Sequence, residues 1–406
     1  MTTSSSRPLA TLLAPVALLA TALLAWVQWR GVTSGIWVDS DVYVMGARSI
    51  LDGGDLYASA TSVDLRFTYS PFAAAVFVPL ALLPVEVARW SLTIVSLIAL
   101  VTTVVVVGRR LALNPWLMAW LVVATAALEP VLRNLLLGQI NLILMAIVIV
   151  DLLVVPQRYR GVLVGVAAGI KLTPAVFVIY FLLRKDWASA ARATGAFFVT
   201  VLIGLVVSPS STLAFWGGGF LGLGKFGADA VVGTDNQSLL AAVLRLLGRP
   251  EVPVAVQALL AIAGVTLGAI AARKSLDRGG PVGQVEAVAW LSLGGLLGSP
   301  VSWTHHWVWV IVVLAVVVAR QSPVQAALIL FAFWFPVIWM LYTSDGFEAL
   351  AFPWWKALLS SVYVVAGVAL LVGELSRQDP RHRAARTTEA PLTAPVHERA
   401  TTPTAS

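Results

Sequence analysis

The chain has 406 residues, of which 59% are hydrophobic and only 12% are charged, and its formal net charge is +7. A soluble protein of this length carries roughly 25% charged residues, so the composition excludes an ordinary soluble globular protein. The cations lie in short loops and in the C-terminal tail, where membrane topology places them, so the charge does not indicate a nucleic-acid partner. The chain has no cysteine, which excludes disulfide and thiol chemistry.

The apolar residues form continuous runs of about 15 to 22 residues, the length that a helix needs to cross a hydrocarbon core. We therefore predict an all-α polytopic membrane bundle of ten to twelve transmembrane helices. It forms a single membrane domain over residues 1–375, followed by a basic, disordered cytoplasmic tail over 376–406.

The first predicted span covers residues 9–27. Its end is marked by Trp26 and Trp29 rather than by a small-residue cleavage site, so we interpret it as a retained span and not as a signal peptide. The polar stretch 36–71 comes next, with five aspartates, two arginines and three tyrosines. Apolar positions at helical spacing predict a short helix over 42–51 that lies on the membrane surface. Gly53 and Gly54 end this helix, and Pro71 begins the next one.

Apolar segments follow at 72–83, 88–107 and 115–128, and a further span ends at 155. The remaining apolar segments cover 161–183, 193–207, 254–271, 286–298, 305–319, 324–340 and 354–373. Residues 129–141 are predicted to be a polar connector. A second long polar region covers 208–253, and its last part predicts an amphipathic helix with Arg245 and Arg249 on the polar face.

Lysine and arginine prefer cytoplasmic loops. The basic turn 272–284, Arg320 and the tail are therefore predicted to be cytoplasmic, which places the polar regions 29–71 and 208–253 on the outer side. If 72–83 and 161–183 each cross the membrane once, the basic pairs at 109–110 and 158–160 violate this preference. If both segments are re-entrant, the preference is satisfied.

Asp39 and Asp41 lie at the outer end of the first span. Trp37 and Val38 hold Asp39 at the bilayer boundary, and a carboxylate partly removed from water has a raised proton affinity and is a better general base. The alternative is an ordinary solvated loop carboxylate, and Asp41 is the competing candidate for the base.

Lys171 lies in the middle of an apolar run, about ten residues from either end, too deep for its amine to reach water easily. Such a cation usually has a functional role with an anionic partner, and the alternative is a structural ion pair. Pro174 nearby is expected to break the helix and open a cavity.

His305 and His306 begin a predicted span on the outer side. They are interpreted either as interfacial packing or as donors to a phosphate or hydroxyl group. No metal-ligand spacing and no ATP-binding glycine loop is present, so no cofactor is expected, although an Asp/His metal site assembled in three dimensions stays open. Four amides beside predicted spans suit sugar hydroxyls: Gln139, Asn141, Asn236 and Gln237. Asn236 is alternatively a helix cap.

Seven motifs occur in a characteristic order over about residues 9–375: D-x-x-V-Y (39–43), G-G-D-L-Y (53–57), F-T-Y-S-P-F (67–72), G-Q-I-N (138–141), G-I-K-L-T-P (169–174), N-Q-S (236–238) and S-P-V-S-W-T-H-H (299–306). In this the chain resembles the actinobacterial polyprenol-phosphate-mannose-dependent mannosyltransferases of glycosyltransferase family 87. The resemblance implies a type C integral-membrane glycosyltransferase that makes α-(1→2) links on phosphatidylinositol mannosides or lipomannan.

The resemblance further implies that Asp39 deprotonates the acceptor hydroxyl, which then displaces polyprenyl phosphate with inversion, on the extracytoplasmic side of the cell membrane. The partners implied are a polyprenyl phosphate mannose donor, a glycolipid acceptor and membrane lipids. The candidates for binding the donor phosphate or sugar are Lys171, His305, His306, Arg48, Arg66, Tyr69, Gln139, Asn141, Asn236 and Gln237. A related arabinofuranosyltransferase and a secondary transporter are the alternatives, and the transporter is disfavoured because no second half repeats the broken helix around Lys171.

Overall fold

The computed structural model describes residues 36–219, 227–335 and 337–377. The predicted first span over 9–27 and all but the first two residues of the predicted tail lie outside the described residues. The α-helices in chain order are α1 (Val38–Leu51), α2 (Pro71–Ala81), α3 (Val85–Arg110), α4 (Pro115–Ala126), α5 (Glu129–Leu137), α6 (Asn141–Leu153), α7 (Val162–Ile170), α8 (Val178–Leu183), α9 (Trp187–Val207), α10 (Pro209–Ala214), α11 (Ala228–Val232), α12 (Leu239–Leu247), α13 (Val254–Arg278), α14 (Gly280–Gly298), α15 (Val310–Ala319), α16 (Pro323–Trp334), α17 (Val337–Met340), α18 (Trp354–Leu359) and α19 (Val362–Ser376). Short 3₁₀ segments cover Thr173–Phe177, Thr304–Trp309 and Gly346–Ala351, and one π-helical turn covers Phe215–Gly219.

Four helical segments of the described residues are long and apolar enough to cross a membrane: Val85–Arg110, Trp187–Val207, Val254–Arg278 and Pro323–Met340. A fifth is reached if α4 and α5, which are bent by 62°, form one broken span. Shorter apolar helices lie among them, and the described ranges contain isolated β-bridges but no β-strand. The all-α polytopic membrane fold is confirmed, whereas the total of ten to twelve spans stays a prediction.

Helices α13 and α14 form a close antiparallel pair. Gly268 on α13 faces Gly294 on α14, and a Cβ at position 268 would lie 2.7 Å from the Gly294 Cα. Small residues at such a crossing let two backbones approach closely, which is the usual way that membrane helices gain packing energy.

The segment 161–183 turns back on itself at Lys171. Helix α7 runs parallel to α9, because Gly161 faces Ser189 and Gly169 faces Thr200. After the break at Lys171 the chain returns, and the Leu183 carbonyl accepts a hydrogen bond from Arg273. The segment therefore begins and ends at the same end of the bundle. A cavity of about 40 Å³, lined in part by Pro174, lies beside this break, so the expected break and cavity are both present.

A buried ion network lies at the other end of α14 from residues 299–306. Glu286 and Glu374 each pair with both Arg278 and Arg320, and the Arg320 contacts are 2.7 Å. This network joins the C-terminal ends of α13, α15 and α19 to the beginning of α14.

The sequence predictions for the connector 129–141 and for Arg245 were wrong. The predicted connector 129–141 contains the helix Glu129–Leu137, which Pro130 favours as a residue of the first helical turn. Arg245 is fully buried instead of lying on a solvated face, and its Nη1 donates to the carbonyls of Gly233 at 2.6 Å and Asn236 at 3.0 Å. The polar face of α12 is thus covered by a loop whose carbonyl groups need donors.

Candidate active site

Helix α1 carries two aspartates in its first turn. It begins at Val38 rather than near residue 42, so Asp39 and Asp41 lie on a helix and not in a loop. Residues two apart are about 200° apart around a helix axis, so their side chains point to different faces. Asp41 turns toward α3 and accepts a bidentate ion pair from Arg89, with a closest distance of 2.9 Å. Asp39 instead interacts with the side chain of Gln139.

A left-handed turn at Gly138 brings Gln139 to this position. Helix α5 ends there because Gly138 adopts φ +68°, a conformation that glycine enters without steric cost. A Cβ at Gly138 would lie 2.9 Å from the Ser40 Cβ on α1, so the absence of a side chain also permits the close approach of α1. Asn134 then holds the turn, because its Nδ2 donates to the Gln139 carbonyl at 2.9 Å.

The Gln139 side chain is held by three donors. Tyr43 donates to Gln139 Oε1 at 3.0 Å, Asn141 at 3.3 Å and Tyr69 at 3.4 Å. The two tyrosine rings are packed edge to face with centroids 5.4 Å apart, which fixes both hydroxyl groups. Because Oε1 is occupied by three donors, the amide hydrogens of Gln139 remain for the Asp39 carboxylate.

Asp39, Tyr43, Tyr69, Gln139 and Asn141 form a cluster. Lys171 reaches this cluster from the break between α7 and Thr173–Phe177. The residue has extended backbone angles (φ −142°, ψ 129°), so the helix ends there and the amine is directed at protein groups. Its Nζ donates to Asn141 Oδ1 at 2.8 Å and lies 3.0 Å from His306 Nε2. Among the described residues, no carboxylate lies within ion-pair distance of Lys171, so a plain structural ion pair finds no support.

The two histidines enter the cluster through a short backbone pairing. Residues Asn236 and Trp303 form an isolated antiparallel bridge, which precedes the 3₁₀ turn Thr304–Trp309. The turn is attached to α6 because Asn141 Nδ2 donates to the His305 carbonyl at 3.2 Å. His305 Nε2 is buried and has no hydrogen-bond partner among the described residues, so it is available to a substrate group.

Asn236 and Gln237 have structural roles. Asn236 Nδ2 donates to the Val231 carbonyl at 2.8 Å, and Gln237 Nε2 donates to the Ser360 carbonyl at 2.6 Å. The alternative that Asn236 caps the following helix is wrong, because Ser238 is the N-cap and accepts a bond from the Ala241 amide. Both amides hold the loop that supports the histidines.

Arg48 and Arg66 lie outside the cluster. Both are exposed, and neither has a contact with the cluster. Arg48 lies in the last turn of α1, about 13 Å from Asp39 along the helix axis at 1.5 Å per residue. The predicted residues that the structure brings together are therefore Asp39, Tyr69, Gln139, Asn141, Lys171, His305 and His306.

Sequence reasoning passed over Arg133, which lies within the predicted connector 129–141. Arg133 lies on α5, whose C-terminal turn packs against Ser40 of α1, and its charge acts on the neighbouring Asp39. The signal for it was the cation itself, placed six residues before Gln139 and within two residues of one valine and two leucines of the segment.

The environment of Asp39 suits proton transfer. Asp39 lies outside the apolar spans, and burial of its carboxyl group raises the pKa to about 6, against the smaller lowering effects of Gln139, Lys171 and Arg133. A carboxylate with a pKa near the working pH is both ionised and basic enough to accept a proton. The cluster thus places a carboxyl group that can accept a proton near cationic groups that can stabilise an anion.

Within the described ranges, no three histidine, aspartate or glutamate side chains form a group that could hold a metal ion. A cofactor-free reaction stays a prediction from the sequence.

Comparisons with known proteins identify the family of this chain. The model of glycosyltransferase family 87 matches residues 67–300. A polyprenol-phosphate-mannose-dependent alpha-(1-2)-phosphatidylinositol mannoside mannosyltransferase of Mycolicibacterium smegmatis is 35% identical, over 92% of each chain. A protein of the same description from Mycobacterium tuberculosis is 36% identical, over 87% of this chain and 88% of its own. An alpha-(1-2)-phosphatidylinositol pentamannoside mannosyltransferase of Mycobacterium tuberculosis is 33% identical, over 86% of this chain and 83% of its own.

No solved structure matches this chain. The family match includes Gln139, Asn141 and Lys171, and the relatives align with almost the whole chain. The chain therefore belongs to glycosyltransferase family 87, and it is a membrane-embedded glycosyltransferase.

Proposed function

We propose that this enzyme transfers mannose from polyprenyl phosphate mannose to a phosphatidylinositol mannoside, on the extracytoplasmic side of the membrane, with Asp39 as general base. The donor and the acceptor class are supported by the names of relatives that are 33–36% identical. The single observation that carries the chemistry is the Asp39 carboxyl group, held beside Gln139 with a pKa of about 6.

The structure favours Asp39 over Asp41 as the base. Asp41 is engaged in a bidentate ion pair with Arg89, so its carboxylate is held by a protein partner and is directed toward α3 rather than into the cluster. Asp39 has no ion pair among the described residues and faces the buried cluster. The ion pair of Asp41 instead links α1 to α3.

The reaction is a single displacement. The acceptor oxygen attacks the anomeric carbon while its proton passes to Asp39, and the bond from that carbon to the phosphate oxygen breaks. The electron pair leaves with polyprenyl phosphate. A β-linked donor then yields an α-linked product, which agrees with the alpha-(1-2) linkage in the names of the relatives.

The leaving phosphate requires positive charge or hydrogen-bond donors. Lys171 supplies a cation that Asn141 and His306 orient, and His305 contributes a buried nitrogen without a protein partner. General-base catalysis contributes typically 10²- to 10⁴-fold, so orientation and stabilisation of the phosphate supply the rest of the acceleration.

The distribution of charge supports the extracytoplasmic side. The ion network at Glu286 lies near the beginning of α14. Residues 299–306, which contain His305 and His306, follow the end of α14. The 19 residues of α14 extend about 28 Å at 1.5 Å per residue, so the two lie at opposite ends of the bundle. Lysines and arginines of short loops prefer the cytoplasm, and the end with the network carries Lys274, Arg278 and Arg320.

The path of the chain supports the same orientation. Arg110 bonds to the Leu153 carbonyl and Arg192 to the Arg160 carbonyl, so the basic turns gather at the end of α6 that is distant from Asn141. Segment 161–183 starts and finishes there. The segment is thus re-entrant in this arrangement. A re-entrant segment agrees with the preference of cations for the cytoplasm.

The test is a transfer assay with the purified full-length protein in lipid or detergent. Labelled mannose is expected to move from polyprenyl phosphate mannose to a phosphatidylinositol mannoside. Polyprenyl phosphate arabinofuranose is the comparison donor and lipomannan the comparison acceptor. Transfer from the arabinofuranosyl donor alone would overturn the proposed donor, and transfer to lipomannan alone would overturn the proposed acceptor.

A further inference from the structure

Arg133 is a cation of the active site that has no polar protein partner. Its guanidinium lies over the Trp339 ring, with 4.4 Å between the guanidinium carbon and the ring centroid. Among the described residues, it donates no side-chain hydrogen bond and forms no ion pair. Arginine carries five N–H donors, and Arg133 is half-buried beside the cluster. Stacking fixes the plane of the guanidinium group but leaves all five donors free.

The obvious partner of Arg133 is directed elsewhere. Glu129 lies one turn earlier on α5, a spacing at which glutamate and arginine normally attract. The Glu129 carboxylate instead accepts from Trp339 Nε1 at 2.8 Å and from Tyr363 at 2.7 Å. The indole that supports Arg133 therefore also occupies the carboxylate that would neutralise it.

The charge of the unpaired guanidinium acts on the carboxyl group of the proposed base. Its charge affects three acidic groups, those of Asp39, Glu129 and Asp235, yet none of them is within ion-pair distance. A fixed cation whose donors are open beside a catalytic carboxylate is a site for an anion that arrives with the substrate.

We infer that Arg133 binds the phosphate group of a lipid substrate through its planar fork. This inference rests on the proposed function, in which both substrates carry a phosphate: the polyprenyl phosphate of the donor and the phosphodiester of the phosphatidylinositol acceptor. The site has two cations for these two groups. Lys171 is a compact point charge, whereas Arg133 matches two phosphate oxygens at once.

The test measures lipid binding without sugar transfer. Full-length wild-type protein, Arg133→Met and Arg133→Lys are titrated separately with sugar-free polyprenyl phosphate and with phosphatidylinositol, and binding is followed by tryptophan fluorescence. Loss of charge-assisted hydrogen bonds is expected to raise the Kd of Arg133→Met for one of the two lipids about 10- to 100-fold. Arg133→Lys keeps the charge but loses the fork, so its Kd is expected to lie in between. The exposed Arg249, substituted as Arg249→Met, is the matched control and is expected to leave both Kd values unchanged.

Each outcome has a definite meaning. Selective weakening of polyprenyl phosphate binding assigns Arg133 to the donor, and selective weakening of phosphatidylinositol binding assigns it to the acceptor. Unchanged Kd values for both lipids in Arg133→Met would overturn the inference, and so would equal weakening of both, which indicates a structural role. Because no sugar is transferred in these titrations, a wild-type enzyme inactive with polyprenyl phosphate mannose would refute the proposed function without altering the binding result.

Discussion

Replacing Asp39 with asparagine tests the proposed base most directly. Asparagine has nearly the same shape and keeps a hydrogen bond with Gln139, but it cannot accept a proton at neutral pH. Removal of a general base typically costs 10²- to 10⁴-fold in rate, or about 3 to 5 kcal/mol of transition-state stabilisation. We expect kcat of Asp39→Asn to fall within this range, with the KM values for donor and acceptor little changed.

The raised pKa of Asp39 adds a pH signature. A base works when deprotonated, so a pKa raised from 3.8 to about 6 means that activity is lost as the pH falls through about 6. The ionised fraction falls from about 90% at pH 7 to about 10% at pH 5, so the rate is expected to fall about tenfold over this interval. An aspartate with its ordinary pKa would leave the rate flat there.

The assay follows labelled mannose transfer from pH 5 to pH 8 for the wild type, Asp39→Asn and the matched control Asp41→Asn. The control removes an ion pair that is partly exposed on both sides, which contributes at most about 1 kcal/mol, so its rate should stay within about fivefold of the wild type. The assignment of the base would be refuted if Asp39→Asn kept more than a tenth of the wild-type rate, or if it kept the same decline below pH 6.

Three further changes test other parts of the molecule. Lys171→Met is expected to lower kcat/KM about 10- to 100-fold with no loss of thermal stability, because the amine has no ion-pair partner among the described residues; a lower melting temperature with unchanged kinetics would show a structural cation instead. Gly268→Val places a side chain 2.7 Å from the Gly294 Cα and is expected to lower the free energy of unfolding by about 1 to 3 kcal/mol, measured by thermal unfolding in detergent against Gly195→Val, whose position is open. Glu374→Gln removes a buried carboxylate that pairs with two partly exposed arginines and is expected to cost about 1 to 3 kcal/mol by the same measurement, and an unchanged melting temperature would contradict the network's role.

The sequence identified several residues of the candidate site because each carries a charge next to apolar or aromatic neighbours. Lys171 interrupts an apolar run, and Asp39 follows an aromatic residue at a bilayer boundary. Neither observation depends on which helices are neighbours, because the cost of a charge in the membrane is set by the residue's own position. The all-α membrane class followed from the apolar runs for the same reason.

The predictions that failed depended on what covers a helix. A helical pattern predicts Arg245 to be solvated, yet the loop 233–238 lies over it and supplies carbonyl acceptors. Arg133 was passed over because a cation in a presumed connector is unremarkable until Glu129, its natural partner, is seen to be occupied. The N-terminal end of α1 was misplaced because residues 38–41 combine apolar and acidic residues without a clear cap.

By itself the sequence determined that this chain is a helical membrane protein, that its polar residues occur in a few places, and that seven motifs resemble one family. The tertiary structure decided which of these residues meet. Asp39, Gln139, Lys171 and His306 are separated by up to 267 residues in the chain, and only the packing of α1, α5, α7 and the 3₁₀ turn brings them into one cluster. The proposal of Asp39 over Asp41 as the base likewise rests on tertiary contacts, because two residues on one helix turn differ in what each of their faces meets.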